Sequence, residues 1–470
     1  MTNGNYDVVI IGGGPGGYVA AIRAAQRGAR VALVEKDRLG GTCLNRGCIP
    51  TKALIHDAAL FRRVALGQYG IKAEGALTVD MHRLMARKRQ VVETLVAGVA
   101  RLMDSYGIEV IQGNGQLLAP ERVRVQGVDG PRELTAKAVI LATGSVPAEV
   151  PIPGVDLGGV MTSNELLEIE SLPASMVVIG GSVVGVEFAC MFAALGAQVT
   201  IVGRKSFLRD ADAQLAKRMQ SVLRRQGINI IIGVDFREIT RNSAGHLAVQ
   251  YVRQGVLERA EAEVVLVATG RRPYTKGLGL EHLGVRMDGA AIAVDEHLET
   301  SLPGVYAIGD CTGGLMLAHV AFYEAEVAVD NALGASRVVD HSVVPIAIFT
   351  MPEIAGVGLT EAQAKERGIP FRMSRFPFAV NGRAVAIGET EGQVRMLCEQ
   401  TPDGHSGKVL GVHIMGPNAG DLIAEAALAL RLGATAADIA HTIHAHPTLP
   451  EALMEAAMGH LQGAIHYEHR

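Results

Sequence analysis

The chain of 470 residues carries one supersecondary unit twice. In the first copy an apolar run from Tyr6 to Ile11, interrupted only by Asp7, enters "GGGPGG", then the alanine-rich "YVAAIRAAQRG", then a second apolar run, "ARVALVE". In the second copy "MVVIGGSVVGVEFACMFAALGAQVTIVGRK" repeats strand, glycine turn, helix and strand, with Gly180 standing 168 residues after Gly12. Short continuous apolar runs joined through a glycine turn and a helical stretch mark parallel strands buried on both faces. Two such units predict an α/β chain with two separate sheets rather than one large core.

The glycines of the first copy are spaced G-x-G-x-x-G at Gly12, Gly14 and Gly17, and Glu35 closes the second strand 23 residues after Gly12. This is the order that dinucleotide binding requires: glycines for a tight turn and close approach to a pyrophosphate, a helix N-terminus facing that charge, and an acid for the ribose hydroxyls. An "ATG" ends an apolar strand at 142–144 and again at 268–270, each the expected end of one nucleotide-binding lobe. The fold class is therefore two Rossmann-like dinucleotide-binding domains, with a further C-terminal region.

The second copy departs from the first at two places. Ser182 stands where the first has Gly14, and at the acid position stands Gly203, followed by Arg204 and Lys205, with Arg209 nearby. A carboxylate there accepts a free 2′-hydroxyl and repels a 2′-phosphate; its absence beside basic groups favours the phosphate. The expectation is NADP(H) over NAD(H), with Gly180, Ser182, Gly185, Gly203, Arg204, Lys205 and Gly270 around it. The alternative is that the two cations are solvated loop charges and the site accepts both cofactors.

Between the copies, "LGGTCLNRGCIPTK" holds Cys43 and Cys48 five apart. Residues at that spacing are rotated by about 140° on an ideal helix, so the two cannot touch from one regular helix. Gly40, Gly41 and Gly47 supply the irregular backbone that could bring them together, and a helix is expected to begin near Cys48 with Pro50 in its first turn. Cys48 then meets a helix N-terminus with Lys52 one turn on, and both stabilise a thiolate. A zinc site is disfavoured because C-x4-C lacks a second ligand pair, and no metal is expected. A redox-active pair is the favoured reading, ahead of a structural disulfide.

Bulk properties narrow the setting. Five cysteines are too few for a disulfide framework and their odd count leaves one unpaired, which fits a reducing, cytoplasmic environment. The 44 basic and 48 acidic residues leave a net charge of −4, with no basic cluster for nucleic acid. The first residues enter a strand without a basic leader, and the longest apolar stretch is broken by Gly180, Gly181, Gly185 and Glu187, so neither a secretory signal nor a membrane span is expected.

"GGGPGGYVAAIRAAQ", "GGTCLNRGCIPTK", the "ATG" motif, "GVYAIGD" and "HAHPTLPE" occur in the order found in the flavin-dependent pyridine nucleotide-disulfide oxidoreductases. Through "CLNRGCIPTK", "TMPEIAGVGLTEAQA", "GVHIMGPNAGDLIAEAALAL" and "HAHPTLPEAL" the chain most resembles the dihydrolipoyl dehydrogenase branch, along nearly its whole length. The resemblance implies FAD on the first unit, near Gly12, Gly14, Gly17, Glu35, Thr42, Lys52, Gly115, Asp310 and Ala318. It implies that Glu187 pairs with Lys52, that His446 and Glu451 are a base and its orienting acid, and that His444 is a bystander. It further implies a homodimer whose active sites are shared across the interface, and a dihydrolipoamide-type dithiol as substrate, free or on a lipoyl carrier protein. Pro450 stands where the family more often has a small or polar residue.

The expected organisation is 1–146 for the first part of the FAD domain, 147–273 for the NAD(P) domain, 274–342 for a segment completing the FAD domain, and 343–470 for an α+β dimerisation domain. An NADPH-dependent reductase of another disulfide, such as a glutathione-like one, and a non-catalytic flavoprotein redox sensor are the alternatives. Mercuric reductase is disfavoured because the chain ends "GAIHYEHR", without paired cysteines.

Overall fold

The computed structural model describes residues 4–67, 69–71, 74–128, 130–402 and 405–468. The first unit is β1 (Gly4–Ile11), α1 (Pro15–Gln26) and β2 (Val31–Glu35). Val8, Val9 and Ile10 are completely buried, which explains the unbroken apolar run: with helices or other structure over both faces, every side chain of the strand faces a core. Each such side chain contributes roughly 1.5–3 kcal/mol relative to leaving it in water.

After β2 come two helices that bear the cysteines, α2 (Gly41–Arg46) and α3 (Cys48–Ala65), and then the long α4 (Met81–Ser105). Strands β3 (Glu109–Gln112), β4 (Asn114–Ala119), β5 (Arg122–Gly127) and β6 (Gly130–Leu141) complete a sheet in the order β3-β2-β1-β6-β5-β4. Strand Val305–Ala307 returns from far along the chain to pair in parallel with β6. The β1–β2 and β1–β6 pairings are parallel, so the C-terminal ends of β1 and β6 lie together at one edge.

The second unit repeats this plan. Its sheet runs Asn229–Ile232, Gln198–Gly203, Ser175–Ile179, Val264–Val267, Val160–Met161, with all pairings parallel. The helix Val183–Leu195 follows the glycine turn, and its Phe188 and Phe192 are both 1% exposed. They share one hydrophobic cluster with Leu54, Ile55 and Ala58 of α3. This contact between helices of different sheets places the cysteine-bearing helix against the second unit.

A two-stranded ribbon joins the units where the chain crosses between them: β7 (Ser145–Pro147) pairs antiparallel with Arg271–Pro273. Beyond residue 343 an antiparallel five-stranded sheet, from Ile346–Ile348 to Ser406–Gly416, packs against the helices Ala419–Leu432 and Glu451–Met458 around a separate core. None of the described helices is long and apolar enough to cross a membrane.

Candidate active site

The two glycine turns are held by the same contact. At Gly12 φ is +109° and an added Cβ would lie 2.3 Å from the Ala142 carbonyl oxygen; at Gly180 φ is +123° and it would lie 2.3 Å from the Ala268 carbonyl oxygen. Each turn therefore closes on its own "ATG" strand, and only glycine fits. Gly14 and Ser182 are the N-caps of the helices that follow, while Gly17 and Gly185 lie within those helices. The Ser182 hydroxyl donates to the Ala268 carbonyl at 2.7 Å, so the serine reinforces the turn it occupies.

Glu35 is buried at the end of β2. Its Oε2 accepts the Gly13 N–H at 2.6 Å and its Oε1 accepts the Asp37 N–H at 2.7 Å, and burial raises its pKa above the ordinary carboxylate value. Gly41 approaches the same turn from α2: an added Cβ would lie 2.7 Å from the Gly14 Cα, so the cysteine segment and the glycine loop touch backbone to backbone. Gly115 on β4 packs on Ile11, and Ala318 opens the helix Ala318–Ala332. The Ser145 hydroxyl donates to the Asp310 carboxylate, and the Arg271 Nε donates to Ser145 Oγ at 2.7 Å while standing 4.0 Å from Asp310 Oδ2.

Cys43 lies in α2 and Cys48 is the first residue of α3, separated by the non-helical Gly47. This is the break in helical register that the five-residue spacing demands. Neither thiol is bonded to another sulfur, and the two influence one another's ionisation more than any other group does. The Cys43 thiol is the largest influence bringing Cys48 down to about 7; burial opposes it, and the Lys52 charge and the Cys48 backbone N–H assist. The neighbouring Cys48 sulfur, together with burial, pushes the Cys43 thiol well above its ordinary range. The Lys52 charge lowers the Cys48 value, but the neighbouring thiol acts more strongly.

Lys52 also reaches Glu187 of the second unit's helix, Nζ to Oε2 2.9 Å, and lies 4.8 Å from the centre of the Phe349 ring. Glu187 Oε1 accepts the Phe349 N–H at 2.9 Å. In the C-terminal region, His446 Nδ1 lies 2.8 Å from Glu451 Oε1, and Glu451 Oε2 accepts the Thr448 N–H at 2.7 Å. The His446 side chain is 76% exposed. Pro450 is the N-cap of the helix that Glu451 begins, with Leu453 N–H donating to its carbonyl, so proline is accommodated there. None of the hydrogen bonds of His446 or Glu451 among the described residues reaches the cysteines.

Three residues of this region escaped sequence reading. Arg271 and Ser145 each follow the glycine of an "ATG", a repeat that could have drawn attention to both; Phe349 carries no local signal. At the second turn, Gly203 ends its strand and Arg204 and Lys205 are exposed, with no ion-pair partner among the described residues.

Residues 6–325 match the pyridine nucleotide-disulphide oxidoreductase family, and residues 344–457 match its dimerisation domain. The chain is 40% identical to dihydrolipoyl dehydrogenase of Bacillus subtilis (strain 168) over 475 residues, covering 98% of this chain and 99% of the relative. It is 41% identical to leghemoglobin reductase of Vigna unguiculata, over 96% of this chain and 87% of the relative. Among solved structures, LpdA from Mycobacterium tuberculosis superposes with a TM-score of 0.88 at 29% identity, covering 97% of this chain and 99% of that one. The chain belongs to the pyridine nucleotide-disulphide oxidoreductase family. Within it, the protein is a flavoprotein oxidoreductase of the dihydrolipoyl dehydrogenase type, acting on sulfur. FAD and a nicotinamide dinucleotide are the cofactors that membership brings, and its C-terminal region is a dimerisation domain. Two glycine turns that admit no side chain, each at a helix N-terminus, fit two dinucleotides.

Proposed function

We propose that the protein oxidises dihydrolipoamide, or a closely similar dithiol, through Cys43 and Cys48, and passes the electrons by way of FAD to a nicotinamide dinucleotide. The observation that carries this reading is the placement of the two free thiols on either side of the helix break at Gly47, with Cys48 opening α3 and Lys52 one turn on, a setting that lowers Cys48 to about 7. A thiol of low pKa leaves faster in disulfide exchange, so attack on Cys43 that expels Cys48 is the favoured direction.

In this reading one thiol of the substrate gives its proton to His446 Nε2, and the resulting thiolate attacks Cys43 of the oxidised pair. The Cys43–Cys48 bond breaks and Cys48 leaves as a thiolate. The second substrate sulfur then attacks the sulfur bonded to Cys43, closing the substrate disulfide while its proton passes to Cys43. Two electrons from the dithiol now rest on the pair, with one proton on Cys43 and one on His446. Glu451 holds Nδ1 of His446 and so leaves Nε2 free for this exchange. FAD, when bound, carries the electron pair onward to nicotinamide as hydride. Gly12, Gly14, Gly17, Glu35, Thr42, Lys52, Gly115, Asp310 and Ala318 are the residues assigned to hold it.

The exposure of His446 supports a dyad that serves the sulfur pair of a second subunit. The exposed cations Arg204 and Lys205 beside Gly203, without an ion-pair partner among the described residues, support NADP(H) as the preferred nicotinamide, with Gly180, Ser182, Gly185 and Gly270 assigned to the rest of that cradle. A lipoyl group borne on a carrier protein is the substrate form that an exposed dyad could reach.

The test is a steady-state assay with free dihydrolipoamide, a lipoylated carrier domain and reduced glutathione, each with NAD and with NADP. Turnover confined to the lipoyl substrates is expected, with higher kcat/KM for NADP. Turnover only with glutathione would replace the substrate assignment, and a strong NAD preference would remove the cofactor assignment.

A further inference from the structure

Two residues before His446, His444 is held in a different way. Its side chain is only 6% exposed; its Nδ1 lies 2.8 Å from the Thr442 carbonyl oxygen and its Nε2 2.9 Å from Glu425 Oε1. The ring is thus held from both sides, between the Thr442 carbonyl oxygen and the Glu425 carboxylate. Ile443 beside it is 97% exposed, and His446 beyond it 76%. A buried ring in contact with Glu425 therefore pins an otherwise outward-facing loop to the helix Ala419–Leu432.

The same ring acts on the dyad. Burial pushes the Glu451 carboxyl up, but the Thr448 N–H, the hydrogen bond and charge of His446 and the charge of His444 outweigh it and hold Glu451 below the ordinary carboxylate value. Among the described residues, the titratable groups around His446 in this arrangement are Glu451 at the start of its helix, His444 in the loop and, through His444, Glu425.

We infer that His444 and Glu425 form a positioning pair for the His446–Glu451 dyad: the pair fixes the loop on the helix Ala419–Leu432 and keeps the charge beside the base balanced. This rests on the reading of His446 as the base. Neither residue touches the reacting sulfurs in this account; both act through His446.

The test uses the FAD-loaded protein and three variants, His444→Gln, Glu425→Gln and the double variant. Two readouts are taken: the pH dependence of kcat/KM for dihydrolipoamide oxidation, and reduction of an artificial electron acceptor by the nicotinamide cofactor, which bypasses the dithiol. In His444→Gln, dithiol kcat/KM should fall roughly tenfold through misplacement of the base. Its acid limb should move up by roughly half a pH unit, because Glu425 is left as an unbalanced carboxylate. Adding Glu425→Gln should return the limb to its original position, and acceptor reduction should be unchanged throughout. If His444→Gln fails to assemble, His444→Lys, which keeps a donor and a charge, takes its place and should leave the limb where it was. An unmoved limb in His444→Gln, a shift that persists in the double variant, or a shifted limb in His444→Lys overturns the pair's role. Undiminished dithiol turnover in His446→Gln would overturn the base assignment, and the pair's role with it.

Discussion

Lys52 and Glu187 meet 2.9 Å apart across the seam between α3 and the helix Val183–Leu195, with the carboxylate side chain 3% exposed and the lysine side chain 32%. They pull the Cys48 thiol in opposite directions: the cation lowers its pKa and the anion raises it. Lys52→Met should therefore move the Cys48 titration upward and Glu187→Gln downward, each by about one unit. The pH dependence of thiolate-to-flavin absorption in the two-electron-reduced protein measures both shifts. Lys52→Met also strands a buried carboxylate that, among the described residues, keeps only the Phe349 N–H as a partner, and should cost about 2 kcal/mol in denaturant unfolding, discounted for the partly exposed lysine.

The direction of the Cys48 shift sets a pH window. Its value falls from the ordinary 9.0 to about 7 in the folded protein, so the thiolate is present above that pH and is lost as pH drops through about 7. The long-wavelength absorption of the reduced protein should fade over that same interval. An absorption that persists unchanged to pH 5 would contradict the assignment.

The two cysteines should separate by spectrum as well as by rate. Cys43→Ser and Cys48→Ser should each reduce dithiol turnover at least a thousandfold, since neither can close a disulfide, while flavin content stays at one per chain. Only Cys43→Ser should keep the long-wavelength absorption, because it retains the sulfur that ionises. A reversed pattern would exchange the roles of the two residues.

If NADP(H) is the preferred nicotinamide, as proposed, a packing contact as well as charge should govern the choice. An added Cβ at Gly203 would lie 2.7 Å from Ile232 Cδ1, so Gly203→Glu alone should cost about 1–3 kcal/mol in stability. Combined with Ile232→Val, which removes that methyl group, Gly203→Glu should fold well and turn the preference toward NAD. Arg204→Ala with Lys205→Ala should raise the KM for NADP by about tenfold or more and leave that for NAD nearly unchanged. Ratios of kcat/KM for the two cofactors decide the matter.

Much of the architecture was legible because it repeats at close range. The turns at Gly12 and Gly180, the acid at Glu35 and the helix start at Cys48 are local patterns, set by backbone sterics and by apolar runs that need burial on both faces. The break between Cys43 and Cys48 followed from helix geometry alone. The reach of Arg271 to Ser145 and the seat of Phe349 beneath Lys52 were not legible, since each depends on where a distant strand returns.

By itself the sequence determined two glycine turns of dinucleotide-binding pattern and a sulfur pair that must sit across a helix break, because glycine spacing, apolar periodicity and helix geometry act over a few residues. Tertiary structure decided which charges face one another: Lys52 finds Glu187 135 positions away, and Glu187 in turn accepts the Phe349 N–H from the C-terminal region. Electrostatic and hydrogen-bond energies depend on separations of a few ångströms, and those distances exist only once the helices of two different sheets have packed together.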